Sequence, residues 1–308
     1  MRVASLLPAA TEWLAAFGGT DDLVARSHAC DYPPEVNALP VVTSAAVITD
    51  DARMVDEEVR EAVREGLSPF DVDLDRLVDL APDVVLTQTQ CRVCAVSEEQ
   101  LSQAVARALG PEVEIFSLHA YRFGEVLKSA LALGRVVGRS SAAMQVVAEG
   151  ERRLRRLRDR LGLQRTTSLA EAPTVAVIEW LEPAMTAGHW TPDLVELAGA
   201  RSVCARPGER SVQLNWEEMV QEDPYVLVLS PCGVGQEAAM DDLHYLTERP
   251  QWGRLRAVRD GRVFLVDGNA FFNRPGPRLY RSIELLAAAV HGDRAEIGVA
   301  SDEMVRLD

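Results

Sequence analysis

The stretch from Ser140 to about Leu161 reads as one unbroken helix, and it constrains the chain more than any other feature. Gly138 stops the helix before it, and Ser140 or Ser141 can cap the new one. Its second half, Glu151 to Arg160 (ERRLRRLRDR), is nearly all charged. At 1.5 Å per residue such a helix spans roughly 30 Å. Alternating strand and helix patterns stand on both sides of it. A long polar helix in that position suits a rigid strut between two lobes, and its length favours this over an ordinary surface helix packed on one lobe.

Ahead of the helix, Val3 to Leu7 is a short apolar run, Thr11 to Phe17 has helical spacing, and Gly18-Gly19 stops it. Asp22 to Arg26 reads as a strand and Asp31-Tyr32-Pro33-Pro34 as a rigid loop. Asp50 to Glu65 is an acidic amphipathic surface helix. Leu74 to Leu80 is a short helix feeding the strand Asp83 to Thr87. Ser97 to Leu109 and Phe123 to Val137 are helices, with the strand Val113 to Leu118 between them. After the long helix, Gln164 to Pro173 is a loop and Thr174 to Ile178 a strand. Pro192 to Leu197 is a helix, Tyr225 to Leu229 a strand, Asp241 to Glu248 a helix and Val263 to Val266 a strand. Arg278 to Val290 closes the chain as an apolar helix. Alternation of this kind predicts two α/β, Rossmann-like lobes with parallel sheets joined by one long helix. The expected division is 1–120, connecting helices over 121–165, and 166–308, and a chain of 308 residues is long enough for two such domains.

An internal repeat supports two equivalent lobes. Asp73-Leu74-Asp75-Arg76-Leu77-Val78 leads through Pro82 into DVVLT, and Asn215-Trp216-Glu217-Glu218-Met219-Val220 leads through Pro224 into YVLVL, with no gap between the copies. Helix, proline and strand are a common unit, so chance is the competing account.

A net charge of -15 argues against a nucleic-acid partner, which needs clustered Lys and Arg. No apolar run approaches the ~20 residues that cross a bilayer. MRVASLLPAATEW lacks the basic and apolar regions of an export signal, which leaves three readings open: a cytosolic protein as written, a start upstream of residue 1, or an export sequence already removed. Asp71 to Asp75 starts like a calcium loop but lacks the glycine and the distal Glu. Gly233-Val234-Gly235 is a poor dinucleotide loop. Nucleophile-elbow and P-loop motifs are missing. Five cysteines make no disulfide framework. Cys91-Arg92-Val93-Cys94 follows a strand, where α/β proteins bind ligands. It is open as a redox pair, as half a metal site completed by Cys30 and His28, or as a loop with buried thiols.

The loops that follow strands carry aromatic residues. Trp180-Leu181-Glu182-Pro183 and Gly188-His189-Trp190 belong to one, Asn269 to Pro277 with Phe271, Phe272 and Arg274 to another, and Tyr32 to the matching region of the first lobe. Each aromatic alone is more simply a core residue. Together, on loops expected to face one sheet edge, they suit a broad planar ligand. Among the histidines, His189 stands out because Gly188 and Trp190 flank it, and as a neutral imidazole it can ligate or hydrogen-bond a metal centre in the ligand.

RVASLLPAATE at residues 2–12, SHACDYPP at 27–34, Leu74-Asp75-Arg76-Leu77 through DVVLT, Leu133 to Gly138, and Arg274-Pro275-Gly276-Pro277-Arg278 run in order over almost the whole chain. This set resembles the cobalamin- and siderophore-binding proteins of ABC importers, and DYPP resembles the cobalamin-binding branch in particular. The resemblance implies a class III periplasmic-binding-protein fold with little hinge motion. It implies a non-catalytic carrier that holds cobalamin, another corrinoid or a metal chelate in the cleft between lobes and delivers it to permease subunits. Ligand contacts would come from Asp31, Tyr32, Gln88, Gln90, Trp180, His189, Trp190, Phe271, Phe272 and Arg274. Asp75 and Glu217, already paired by the repeat, would dock on arginines of the permease. No cofactor is required, and the protein is expected to be a monomer. The rival readings are a cytosolic corrinoid or metal-chelate sensor, and a metal or redox enzyme centred on Cys30, Cys91 and Cys94.

Overall fold

The computed structural model describes residues 1–45, 51–64, 70–88, 98–163 and 169–307. The backbone divides into two compact units. The first takes Met1–Thr49, Met54–Ala120 and Gly124–Glu149, and the second Asp50–Arg53, Tyr121–Phe123 and Gly150–Asp308. In chain order the first elements are β1 (Val3–Ser5), α1 (Pro8–Ala16), β2 (Leu23–Arg26), β3 (Thr43–Ala45), α2 (Ala52–Arg64), β4 (Phe70–Val72), α3 (Leu74–Leu80), β5 (Val84–Gln88), α4 (Glu98–Leu109), β6 (Glu114–Leu118), α5 (Phe123–Val136) and α6 (Ser140–Leu161).

The sheet of the first unit runs β2-β1-β5-β6 and is parallel throughout. Parallel strands are covered on both faces, so they read as unbroken apolar runs. Every residue of β1 is buried, as is Val84 to Thr87 of β5. Ala4, Ala25, Leu77, Val85 and Val105 form the core beneath one face. A short antiparallel ribbon of β3 and β4, with Thr43 opposite Val72, was not expected from the sequence.

The second unit continues with β7 (Thr174–Leu181), β8 (Ala184–Thr186), α7 (Thr191–Leu197), β9 (Arg201–Ser202), α8 (Trp216–Glu222), β10 (Val226–Leu229), α9 (Gln236–Asp241), α10 (His244–Thr247), α11 (Arg256–Arg259), β11 (Val263–Val266), α12 (Leu279–His291) and β12 (Met304–Leu307). Its sheet runs β12-β11-β10-β7-β8, with β9 also on β7. Strands β9, β7, β10 and β11 are parallel, and Ile178, Leu181, Met219, Leu227 and Leu265 fill its core. Two expectations are corrected here. The chain does not close on its apolar helix, because β12 returns antiparallel to β11 and covers the sheet edge. The helix expected from Asp241 to Glu248 is shorter: α9 ends at Asp241 with Asp242 as its C-cap, and α10 holds only His244–Thr247.

The internal repeat is a repeat of structure. Asp73 caps α3 by accepting the Arg76 N–H, and Asn215 caps α8 by accepting those of Glu217 and Glu218. Both helices end on a left-handed residue, Ala81 at φ 39° and Asp223 at φ 40°. Leu77 and Met219 are the fully buried members of the two helices. Each copy then enters its sheet by the same bond: the N–H of Asp83 donates to the Arg2 carbonyl at 2.7 Å, and that of Tyr225 to the Thr174 carbonyl at 3.0 Å.

Helix α6 contributes residues to both units, the change falling between Glu149 and Gly150. Its charged half is bonded rather than merely solvated. Arg153 grips the Glu284 carboxylate with Nη2 at 2.7 and 2.8 Å. Arg158 donates to the Leu197 carbonyl at the end of α7, and Arg160 to that of Ala295, both at 2.9 Å.

Candidate functional site

Within the second unit, the chain reverses directly after β7. Leu181 pairs with Ala184 and Ile178 with Thr186, so β8 runs back along β7. His189 and Trp190 therefore lie along the flank of β7, just past the Ala187 N–H that bonds Val177, and not at its carboxyl end as the loop pattern implied. A second segment braces this flank from outside. The N–H groups of Thr186 and His189 donate to the carbonyls of Val212 and Glu209, and the His189 carbonyl accepts from the Gly208 N–H at 2.9 Å. Gly188 lies so close to the backbone of residues 209–211 that no side chain fits there.

His189 is held at φ 52°, in the left-handed region, without being a glycine. Its half-buried ring stacks on Tyr121 with centroids 5.4 Å apart and tilts against Trp190 at 5.7 Å. Burial, and then the positive charge of Arg210, lower its pKa and keep the imidazole neutral near pH 7. Arg210 also reaches the Tyr121 hydroxyl, at 3.4 Å. Tyr121 is fixed in turn by its neighbours. Arg122 forms a bidentate pair with Asp193, and the Phe123 N–H donates to the same carboxylate at 2.9 Å.

The predicted aromatic loops do meet in this unit, but through buried groups. The Trp190 indole N–H donates to the Phe272 carbonyl at 2.7 Å, and the Phe272 N–H donates to Ser282 Oγ at 3.0 Å. Phe272 is 1% exposed, so its expected role as a ligand wall is corrected: the ring is part of the core. Trp190 and Phe271 are each 8% exposed. Arg274 is part-buried, with Nη2 donating to Asn269 Oδ1 at 2.5 Å. Asn273 ties this loop to the end of β10 through the Ser230 carbonyl. Trp180 donates its indole N–H to the carbonyls of Ala52 and Glu182, both at 3.0 Å. Around it, Tyr245 bonds Asp51, and Asp242 accepts the Ala52 N–H while burial raises its carboxyl pKa.

In the first unit, Asp31 and the 44%-exposed Tyr32 lie on the loop after β2, and Gln88 ends β5. Gln90, Cys91 and Cys94 lie outside the described residues. Cys30 is fully buried, taking a hydrogen bond from Thr11 Oγ1 at 3.1 Å and donating towards the Ser5 carbonyl at 3.9 Å. That environment is of a packed thiol, which corrects the expectation that Cys30 helps complete a metal site. His28 bonds Thr43 Oγ1 through Nδ1 at 2.7 Å, and burial lowers its pKa. Among the described residues, no group of three or more His, Cys, Asp or Glu side chains is placed to hold a metal ion.

Asp75 and Glu217 are exposed in the first turns of α3 and α8. The second copy is the more heavily buttressed. Trp216 stacks on Trp252 at 6.3 Å, and Arg249 lies over Trp216 while pairing with Glu182 at 2.8 Å. Sequence reasoning passed over Tyr121, Arg122, Asp193 and Arg210. An Arg beside an aromatic at the end of a strand is too common to signal a pair so far along the chain.

Residues 3–270 match the family described as periplasmic binding protein. An uncharacterized ABC transporter substrate-binding lipoprotein of Bacillus subtilis, YvrC, is 24% identical over 95% of this chain and 80% of its own length. The vitamin B12-binding protein of Vibrio cholerae is 22% identical over 92% of this chain and 86% of its own. Among solved structures, a periplasmic heme-binding protein from Pseudomonas aeruginosa superposes with a TM-score of 0.67 at 22% identity, covering 94% of this chain and 92% of that one. No described helix is long and apolar enough to cross a membrane.

Proposed function

This chain belongs to the periplasmic binding protein family, and from that premise we propose that the molecule it carries is cobalamin or a closely related corrinoid. The family consists of binding proteins, not enzymes, so the chain is a substrate-binding component of an ABC importer and its ligand is cargo, not cofactor. The cysteine-centred enzyme is set aside on that ground. The cytoplasmic location read from the N-terminus finds no support among relatives that are periplasmic proteins and lipoproteins, and we assign the protein to the outer side of the membrane.

The observation that carries the corrinoid reading is the likeness to the vitamin B12-binding protein over 92% of the chain. Haem is the second reading, favoured by the fold shared with the heme-binding protein. We assign ligand contact to Asp31, Tyr32, Gln88 and Gln90 of the first unit and to Trp180, His189, Trp190, Phe271 and Arg274 of the second. Asp75 and Glu217 dock on the permease, because carboxylates on short capped helices offer bidentate acceptors at fixed positions. Gel filtration after mixing with cyanocobalamin, followed by visible absorbance, tests the ligand. A stoichiometric red complex is expected. A protein that takes up ferric protoporphyrin IX and leaves cyanocobalamin behind moves the assignment to haem.

A further inference from the structure

We propose that Arg26 is the positioning residue for the cargo-contact loop of the first unit, so that cargo affinity depends on a guanidinium the cargo does not touch. The inference rests on the carrier reading, which assigns Asp31 and Tyr32 to the ligand, and adds the residue that fixes where they stand.

Residues 27–42 join β2 to β3 and carry Asp31 and Tyr32. Short-range bonds shape each leg of this loop: the N–H of Cys30 donates to the Ser27 carbonyl, that of Val36 to Pro33 and that of Leu39 to Val36. At the base, the Arg26 N–H donates to the Pro40 carbonyl at 2.9 Å, and the Arg26 carbonyl accepts from the Val42 N–H at 3.0 Å. Above the base the Arg26 side chain spans both legs. Its Nη1 donates to the carbonyls of Ser27 at 3.2 Å and Cys30 at 3.0 Å on the outgoing leg, and its Nη2 to that of Asn37 at 3.5 Å on the returning one. Tyr32, exposed at the surface, lies along the chain between the gripped carbonyls of Cys30 and Asn37.

Stability alone does not account for this grip. Among the described residues the acceptors of Arg26 are neutral carbonyls, and no carboxylate pairs with its charge. Its Nε is the one buried side-chain nitrogen or oxygen among them without a hydrogen-bond partner. A part-buried cation with an unpartnered donor costs free energy that an apolar side chain of similar length avoids. What the guanidinium adds is shape, a planar fork whose donors point in fixed and separate directions, so that it holds carbonyls on both legs at once. Departures of this kind belong where a functional group has to be held in place.

The test uses the full chain and two probes, cyanocobalamin and ferric protoporphyrin IX, with affinity measured for whichever the natural chain binds. Arg26→Lys keeps the charge without the fork, and Arg26→Met keeps an apolar stem without the charge. Both are expected to weaken binding by about tenfold, the scale of one lost hydrogen bond to a charged group. Tyr32→Ala should weaken it too, and adding either Arg26 substitution to Tyr32→Ala should cost no more than about a further twofold, because residues that act through one another are not additive. A general loosening of the unit would not give that failure to add. If Arg26→Lys binds like the natural chain, if the two losses multiply, or if Tyr32→Ala leaves affinity unchanged, the positioning role is overturned and the carrier reading stands. Failure of both Arg26 variants to fold, judged by urea unfolding, overturns it as well, since Arg26 would then serve the whole unit and not the loop. If the natural chain binds neither probe, the carrier reading falls and this inference with it.

Discussion

Arg122 closes on Asp193 with a two-pronged grip, Nε at 2.9 Å and Nη2 at 2.7 Å, and the same carboxylate accepts the backbone N–H of Phe123. Asp193 is 9% exposed and is thus the group that suffers if the grip is lost. The pair anchors residues 121–123, which cluster with the second unit although the chain before and after them clusters with the first.

Asp193→Ala is expected to lower stability by about 2 kcal/mol, less than a fully buried pair would cost because the Arg122 side chain is half exposed. Urea unfolding measures it. A loss within a few tenths of a kcal/mol would show that the anchor is incidental.

Reversing charge at Asp75 and Glu217 together should abolish uptake by cells carrying the importer and leave ligand affinity unchanged. Both carboxylates are exposed at the starts of capped helices, so unfolding should be unaffected. Ligand titration beside an uptake assay separates the roles, and a drop in affinity would move these acids into the ligand site.

Burial lowers the pKa of His28, His189 and His291 below 6.5 in the folded protein. The unfolded chain therefore binds protons first, and the stability these groups contribute is complete above 6.5 and lost as the pH falls through their folded values. His291 Nε2 donates to the Ala198 carbonyl at 2.9 Å, a bond the neutral ring already makes. The unfolding temperature should thus drop as the pH falls below about 6.5, and drop less in His291→Gln. An unchanged pH dependence in that variant would assign the loss to other groups.

Burial, followed by the negative charges of Glu218 and Glu222, pushes the Cys204 thiol up to about 12. Cys232 is exposed. At about pH 8 iodoacetamide should alkylate Cys232 at least about a hundredfold faster than Cys204, because the thiolate is the reactive form. Peptide mass spectrometry over time reads both sites, and comparable rates would mean that the fold around β9 opens readily.

Strands β5 and β10 were legible because they are covered on both faces and carry uninterrupted apolar runs, Val84 to Leu86 and Val226 to Leu229. The capped helices before them were legible from Asp73 and Asn215. The short strands were not: β8 has three residues and β9 two, too few for a period to show. The direction of β8 decided where His189 lies, and it is set by pairing with β7, which no local pattern encodes. His189 and Phe272 both take left-handed backbone where glycine or asparagine would ordinarily announce it. Two of the aromatic loops meet through the Trp190–Phe272 bond, yet composition could not say that the Phe272 ring is buried.

The charged half of α6 carries one more lesson, about which substitutions count as mild. Of the 32 basic side chains only Lys128 is a lysine, and α6 is written wholly in arginine. Arg153 grips both oxygens of Glu284, and Arg158 and Arg160 each span neighbouring carbonyls. An ammonium is a point charge without the planar fork these grips use. Drift towards lysine would leave the isoelectric point almost untouched while dismantling the seams, a kind of damage that counting charges is blind to.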